Sequence, residues 1–507
     1  MKKPNIIVIM TDDHAAHAMS CYGSKINTTP NMDRIANEGI RFDNCFCTNS
    51  ICAPSRAVIL TGKHNHLNGV RTLSDGFDST QMTFPKLLKK SGYQTAMIGK
   101  WHLGEEKENW PTGFDRWCVF PGQGDYFNPV MNDMGENKVF EGYATDIVTD
   151  LSLDWMESRD KEKPFCLLCY HKAPHRPWEP DAKHAHMYDD VDIPMPDTFN
   201  DTYENRSNAA KRANMRVVSD MDSVDLKLQP PENIKDYGTT MPGCEHLRDK
   251  FNADSFRIPL PESVENYSLT TENGEIVTFN SLDELKNWKY QRYIKDYLRC
   301  VASVDDNVGR LLDYLDEESL TNDTIVIYTS DQGFFLGDHG WFDKRFMYEE
   351  SLRMPFVVRY PKGIKAGIVC KDMALNLDFA ETFLDYAGVD IPAEMQGKSL
   401  RPLFEEKTPE DWRTGMYYRY WMHLTHHNVA SHYGIRTDKY KLIYYYGEAL
   451  DATEALDMPT EPEWELFDLE KDPCEMFNVY DDLEYKDIVD KLKTELYKLK
   501  EEAEDYK

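Results

Sequence analysis

The 507-residue chain carries 88 acidic against 58 basic side chains, and its formal charge of −30 repels a phosphate backbone, so nucleic acid is not an expected partner. A hydrophobic share of 41% with 12% aromatics is that of a globular protein with a large core, and no apolar run is long enough to span a bilayer, so no membrane partner is expected. Eleven cysteines are an odd count for a disulfide framework and fit a reducing compartment. The opening "MKKPNIIVIMTDDH" is too short in apolar residues, and too soon charged, for a signal peptide. It predicts a cytoplasmic protein, or a periplasmic or secreted one where a leader has been removed.

In chain order, "NIIVIMT" reads as a first buried strand that runs into Asp12 and Asp13. "TPNMDRIANEG" has a helical pattern. "SICAPSRAVILTGKH" predicts a short helix, with Pro54 suited to a first helical position and Gly62 to the cap after its end. Helix N-termini present free N–H groups and hold anions, so Cys52 would sit in an anion-binding mouth reinforced by Arg56. On this stretch alone a small buried core thiol is the better explanation of Cys52, and the rest of the chain has to overturn it.

The strand "YQTAMIGK" then delivers Lys100 and His102, and "PFCLLCY" delivers His171 and His175. Cys166 and Cys169 lie three apart on that strand and point to opposite faces, so no structural zinc is expected there. Residues 181–290 are irregular and proline-punctuated, and read as an insertion. A long amphipathic helix follows, with Val301, Val308, Leu311, Leu312 and Leu315 at helical spacing. "TIVIYTS" ends in Asp331 and Gln332, and "PFVVRYP" is a further strand.

Short strands alternating with helices predict an α/β fold over 1–410: a large mixed, mostly parallel sheet sandwiched by helices. From about Arg413 antiparallel strands and a closing helix predict a small C-terminal α+β domain over 411–507. In a parallel sheet the carboxyl ends of the strands share one edge, where ligands bind. Asp12, Asp13, Asp331 and Gln332 would meet there, and three carboxylates at one edge repel unless a cation lies between them. An all-oxygen set favours Ca²⁺, with Mg²⁺ as the other choice. With Arg56, Lys100 and Lys344 as cations, and His102 and His175 as groups that titrate near neutrality, the set suits hydrolysis of a charged ester.

These residues carry a resemblance. "CAPSRAVILTG" resembles the signature C-x-P-S-R-x-x-x-L-T-G of type I sulfatases, which share the alkaline phosphatase-like fold, and "GKWHLG" resembles that family's second signature. "DD" after the first strand, "APHRP" and "TSDQGFFLGDHGWFDK" are similar to further sulfatase motifs in the same order. The resemblance implies that a maturase oxidises Cys52 to formylglycine. It also implies that Asp12, Asp13, Asp331 and Gln332 hold the cation together with an oxygen of modified Cys52; many relatives have Asn where Gln332 stands. Lys100 and Lys344 would neutralise the sulfate, while Arg56 helps to hold it. His175 would protonate the departing alcohol, and His102 would take a proton from the hydrated aldehyde.

His339 is expected either to contact substrate or to brace its loop. Of the C-terminal histidines 423, 426, 427 and 432, His427 and His432 are taken as candidates for the leaving-group subsite. The chain looks most similar to bacterial carbohydrate sulfatases, including N-acetylglucosamine-6-sulfatases, which implies a glycosaminoglycan- or mucin-type sugar as substrate. Two readings stay open beside it: a phosphonate monoester or phosphodiester hydrolase of the same superfamily, and a non-catalytic anion-binding protein with unmodified Cys52.

Overall fold

The first strand, Asn5–Thr11 (β1), is buried along its length and feeds two cores, Ile7 and Ile9 facing one helical layer and Ile6, Val8 and Met10 the other. That two-sided burial makes it central, as its unbroken apolar run requires. The computed structural model describes residues 3–229 and 257–507. Around β1 it builds a ten-stranded sheet from Ile40–Phe42 (β2), Gln94–Lys100 (β3), Arg116–Phe120 (β4), Val130–Asp133 (β5), Glu136–Val139 (β6), Phe165–Tyr170 (β7), Thr324–Ser330 (β8), Phe356–Arg359 (β9) and Ile368–Cys370 (β10). Their order is β10-β2-β9-β8-β1-β7-β3-β4-β5-β6. The middle run from β8 to β4 is parallel, whereas β9 joins β8 and β2 in antiparallel register, as β5 and β6 do at the other edge.

Pro30–Asn37 (α1), Ala144–Ser158 (α4) and Leu282–Glu317 (α5) cover one face. Cys52–Thr61 (α2), Phe84–Lys90 (α3) and Phe379–Ala387 (α6) cover the other. The α/β sandwich expected from the sequence is therefore present. Cys166 and Cys169 fall in different cores, as strand alternation demands.

Two boundaries differ from the sequence reading. Helix α2 begins at Cys52 rather than Pro54, so the cysteine occupies its first turn, and it ends at Gly62 in the left-handed conformation (φ 63°). Helix α5 begins at Leu282, inside the expected insertion, because Ser281 caps it by accepting from the Glu284 N–H at 3.1 Å. The described parts of 181–290 otherwise hold turns, a short helix at Asn208–Arg212 and a small hairpin; residues 230–256 lie outside the described residues.

Gly415–Tyr420 (β11), His432–Thr437 (β12), Tyr440–Tyr445 (β13) and Glu463–Asp468 (β14) form an antiparallel sheet in chain order, backed by Lys486–Glu502 (α7) through Val489, Leu492 and Leu496. Its other face packs Met416, Tyr418 and Tyr420 into the core that contains Cys52 and Val58. The C-terminal sheet thus forms one wall of the region around the cysteine.

Candidate active site

Strand ends bring the expected carboxylates together. Asp12 and Asp13 follow β1 and Asp331 and Gln332 follow β8; these strands pair in register from Asn5–Thr324 to Thr11–Ser330, so the two acidic pairs end side by side. The Asp13 N–H donates to Asp331 Oδ1 at 3.3 Å, and Gln332 Nε2 donates to Asp13 Oδ1 at 2.6 Å. Tyr297 of α5 donates to the Asp13 carbonyl at 2.8 Å and fixes its left-handed backbone (φ 68°).

Helix α2 is stitched to the same edge. Ser55 Oγ donates to the Asp331 carbonyl, and Arg56 donates to Asp331 Oδ2 at 2.9 Å and to the Lys100 carbonyl at 2.5 Å. Arg56 thus ties two strand ends through Nε and Nη1, while its Nη2 is buried without a partner among the described residues. Cys52 is 1% exposed, and burial pushes its thiol up to about 11 even though Lys344 pulls the other way. Burial thus favours the thiol of Cys52 over its thiolate, against the pull of the helix mouth.

Lysines surround the acids. Lys100 is ion-paired with Asp12, and Lys344 lies 2.6 Å from Asp13 Oδ1. Burial drives the Lys100 ammonium well below its usual range, with Lys172 adding repulsion; burial also opposes the charge of Lys344, but Asp13 and Asp343 outweigh it and raise that group. Asp13 is pushed up to about 6 by burial, a rise that Lys344 only partly offsets.

His175 donates from Nδ1 to the Arg176 carbonyl at 2.6 Å, leaving Nε2 facing Asp13 Oδ2 at 3.8 Å. Burial, followed by the field of Lys100, holds both His175 and His102 well below the ordinary histidine range. Asp12, Asp13 and His175 each present a ligand atom within 4.8 Å of the others. Among the described residues, Asp12 Oδ1 and Gln332 Oε1 are buried without a hydrogen-bond partner. Orphaned oxygens inside an acidic cluster are what a bound cation would satisfy, and the donor set fits one.

The remaining expectations divide. His427 donates its position to the site: its Nε2 lies 3.3 Å from Asp343 Oδ2, beside Arg345, whose Nε holds Asp343 Oδ1 at 3.0 Å. His339 is buried, pairs with Asp201 at 3.1 Å, and its carbonyl accepts from Tyr203, so it braces the loop that leads to Lys344. His432 is fully buried, stacked against Tyr418, Tyr420 and Phe346, and its expected substrate contact gives way to packing under the wall.

Sequence reasoning passed over Lys172, Gln123, Asp343 and Arg345. The last two flank Lys344 in "FDKR", and both have positive φ (74° and 92°), a backbone that ordinary residues adopt only under constraint.

The comparisons agree with this geometry. The family model described as "Sulfatase" matches residues 4–389, and that for "N-sulphoglucosamine sulphohydrolase, C-terminal" matches 337–502. The chain is 46% identical, over 99% of its length and 86% of the relative's, to an N-acetylglucosamine-6-O-sulfatase of Bacteroides thetaiotaomicron. It is 26% identical to the human N-acetylglucosamine-6-sulfatase, over 83% of this chain and 67% of that one. The solved structure of BT4656 in complex with its substrate D-glucosamine-2-N,6-O-disulfate superposes with a TM-score of 0.85 at 43% identity, covering 100% of this chain and 99% of the other. With the family match spanning most of its length, the chain belongs to the sulfatase family.

Proposed function

We propose that this sulfatase removes an O-sulfate from a carbohydrate, with the 6-O-sulfate of a glucosamine or N-acetylglucosamine unit as its substrate, and that it does so with formylglycine made from Cys52 and with Ca²⁺. The observation that carries the reading is the convergence of Cys52, the Asp12–Asp13–Asp331 cluster, Lys100, Lys344 and His175 at the carboxyl edge of the parallel sheet. It is supported by the 46% identity to an N-acetylglucosamine-6-O-sulfatase.

Asp12, Asp13, Asp331 and Gln332 would hold the cation, whose charge would balance the three carboxylates and polarise the ester oxygens. Once converted, residue 52 supplies a nucleophilic oxygen where the buried thiol, at about 11, supplies no anion. Lys100, Lys172 and Lys344 would take up the negative charge of the sulfate. Burial first, and then the lysine field, keep His175 neutral; the sulfate would offset the second of these and favour a proton on the ring. The bond from His175 Nδ1 to the Arg176 carbonyl leaves Nε2 as the atom that gives this proton to the leaving alcohol. Asp343, Arg345 and His427 form the polar wall next to Lys344 and would meet the sugar hydroxyls.

The test is sulfate release from a panel of defined sugars sulfated at different positions, with a phosphodiester included, using protein produced with a formylglycine-generating maturase. Release from the 6-O-sulfated sugars alone supports the reading. Cleavage of the phosphodiester in its place would assign the site to the other ester class, and absence of any turnover in fully converted protein would leave an anion-binding site.

A further inference from the structure

We propose that Gln123 is a positioning residue that sets Lys100 and His102 as one unit; the inference rests on the reading of those two groups as parts of the sulfate site. Gln123 is presented by the turn "PGQG" after β4, closed by the Gly124 N–H donating to the Pro121 carbonyl at 3.2 Å. Both flanking glycines are left-handed, Gly122 at φ 51° and Gly124 at φ 70°. A Cβ on Gly124 would meet Phe120 Cγ at 2.7 Å, so the turn is built tightly against its own strand. Such a turn fixes one side chain at its tip.

That side chain bridges two site residues. Lys100 Nζ donates to Gln123 Oε1, and the other end of the same carboxamide, Nε2, lies 3.1 Å from His102 Nε2. The contacts divide the carboxamide between the two groups. Lys100 takes the amide oxygen, which turns the N–H₂ toward the ring. His102 Nδ1 is left buried with no partner among the described residues, on the side of the ring away from the amide. Lys100 thereby sets which end of Gln123 meets His102.

Neither end works alone. Lys100 also pairs with Asp12, a carboxylate that would turn to a bound cation; Gln123 is the neutral acceptor that would keep the lysine in place when it does. His102 has positive φ (55°) and no other side-chain partner in the described structure, so the amide is what orients its ring. A carboxamide is the side chain with both capacities in one plane. A carboxylate would keep the lysine and lose the donor; an aliphatic chain would lose both.

The experiment compares wild type with Gln123→Glu and Gln123→Leu, all formylglycine-converted and Ca²⁺-loaded, on the 6-O-sulfated sugar and on 4-nitrophenyl sulfate. Positioning predicts that kcat falls in Gln123→Leu by about tenfold to a hundredfold while KM for the sugar stays within about threefold. Gln123→Glu, of the same size and with one contact kept, should fall between the two, and thermal unfolding midpoints should be alike. A Gln123→Leu enzyme with kcat within about twofold of wild type overturns the proposal, and so does a rise in KM at constant kcat, which would make Gln123 a substrate contact. Should Gln123→Leu fail to fold, equality of Gln123→Glu with wild type overturns it by itself. Failure of the substrate reading shows separately, as wild type that hydrolyses the aryl sulfate and not the sugar; the same comparison then runs on the aryl sulfate.

Discussion

Arg56 and Asp331 form an ion pair of 2.9 Å with the two side chains 1% and 0% exposed. Because the same guanidinium also holds the Lys100 carbonyl, one residue of the cysteine-bearing helix ties two separate strand ends to each other. Removing one partner of a buried pair strands the other charge. Arg56→Ala should therefore cost about 3–5 kcal/mol in urea unfolding and abolish sulfate release. Unfolding unchanged to within 1 kcal/mol, on the order of one weak contact, would show that water replaces the guanidinium.

Cys52→Ala should lose all turnover while unfolding within about 1–2 kcal/mol of wild type, since it removes one small buried atom from a packed site. Sulfate release and urea midpoints on the same preparation check this. Residual turnover above background would place the nucleophile elsewhere.

Exhaustive chelation should abolish activity and lower the unfolding temperature, because the three carboxylates are then left to Lys100, Lys344 and Arg56 alone. Ca²⁺ at a hundred times its dissociation constant should return about 2.7 kcal/mol, read by calorimetry as a concentration-dependent midpoint. Full activity in protein shown by metal analysis to be cation-free would contradict the cluster's assigned role.

Arg345→Ala should weaken the sugar specifically. Loss of a charged hydrogen-bond donor from the wall predicts a fall in kcat/KM of about 1.5–3 kcal/mol for the 6-O-sulfated sugar, and a smaller one for 4-nitrophenyl sulfate, which has no hydroxyls to bind. Equal losses on both substrates would make Arg345 part of the sulfate pocket.

Glu381 gives a pH prediction away from the chemistry. Burial pushes its carboxyl up to about 8, with Asp378 adding to the rise. An unfolded glutamate titrates near 4.3, so between about 4.3 and 8 the folded state binds more protons than the unfolded one. Stability must then fall as pH rises through that window, by up to about 1.4 kcal/mol per unit. Gln at this position cannot ionise, yet keeps the oxygen that accepts from the Gly397 N–H at 2.7 Å. Glu381→Gln should gain on wild type from pH 5 to pH 8 in thermal melts; a constant difference would show that Glu381 stays ionised.

What the sequence revealed and what it hid follow from the range of the forces involved. Strands β1, β3, β7 and β8 declared themselves because burial on both faces makes them continuous apolar runs, and their polar ends then marked one sheet edge. The start of α5 was missed because its first turns, "LDELKNWKY", are polar on most sides and the cap lies in a single serine. Gln123 was invisible for another reason: a turn tip has no periodicity, and its meaning lies wholly in which distant groups it meets. His432 misled because a ring in a β-strand reads the same whether it lines a cleft or stacks between tyrosines.

The backbone adds a last point. Asp13, His102, Asp343 and Arg345 all lie at positive φ, from 55° to 92°, where a side chain costs of order 1 kcal/mol more than glycine. At Asp13, Asp343 and Arg345 glycine would relax the backbone but leave a buried partner unpaired, a loss of about 3–5 kcal/mol that outweighs the gain. Selection for heat resistance should therefore leave these positions alone and collect its replacements on the remote faces of α5 or α7.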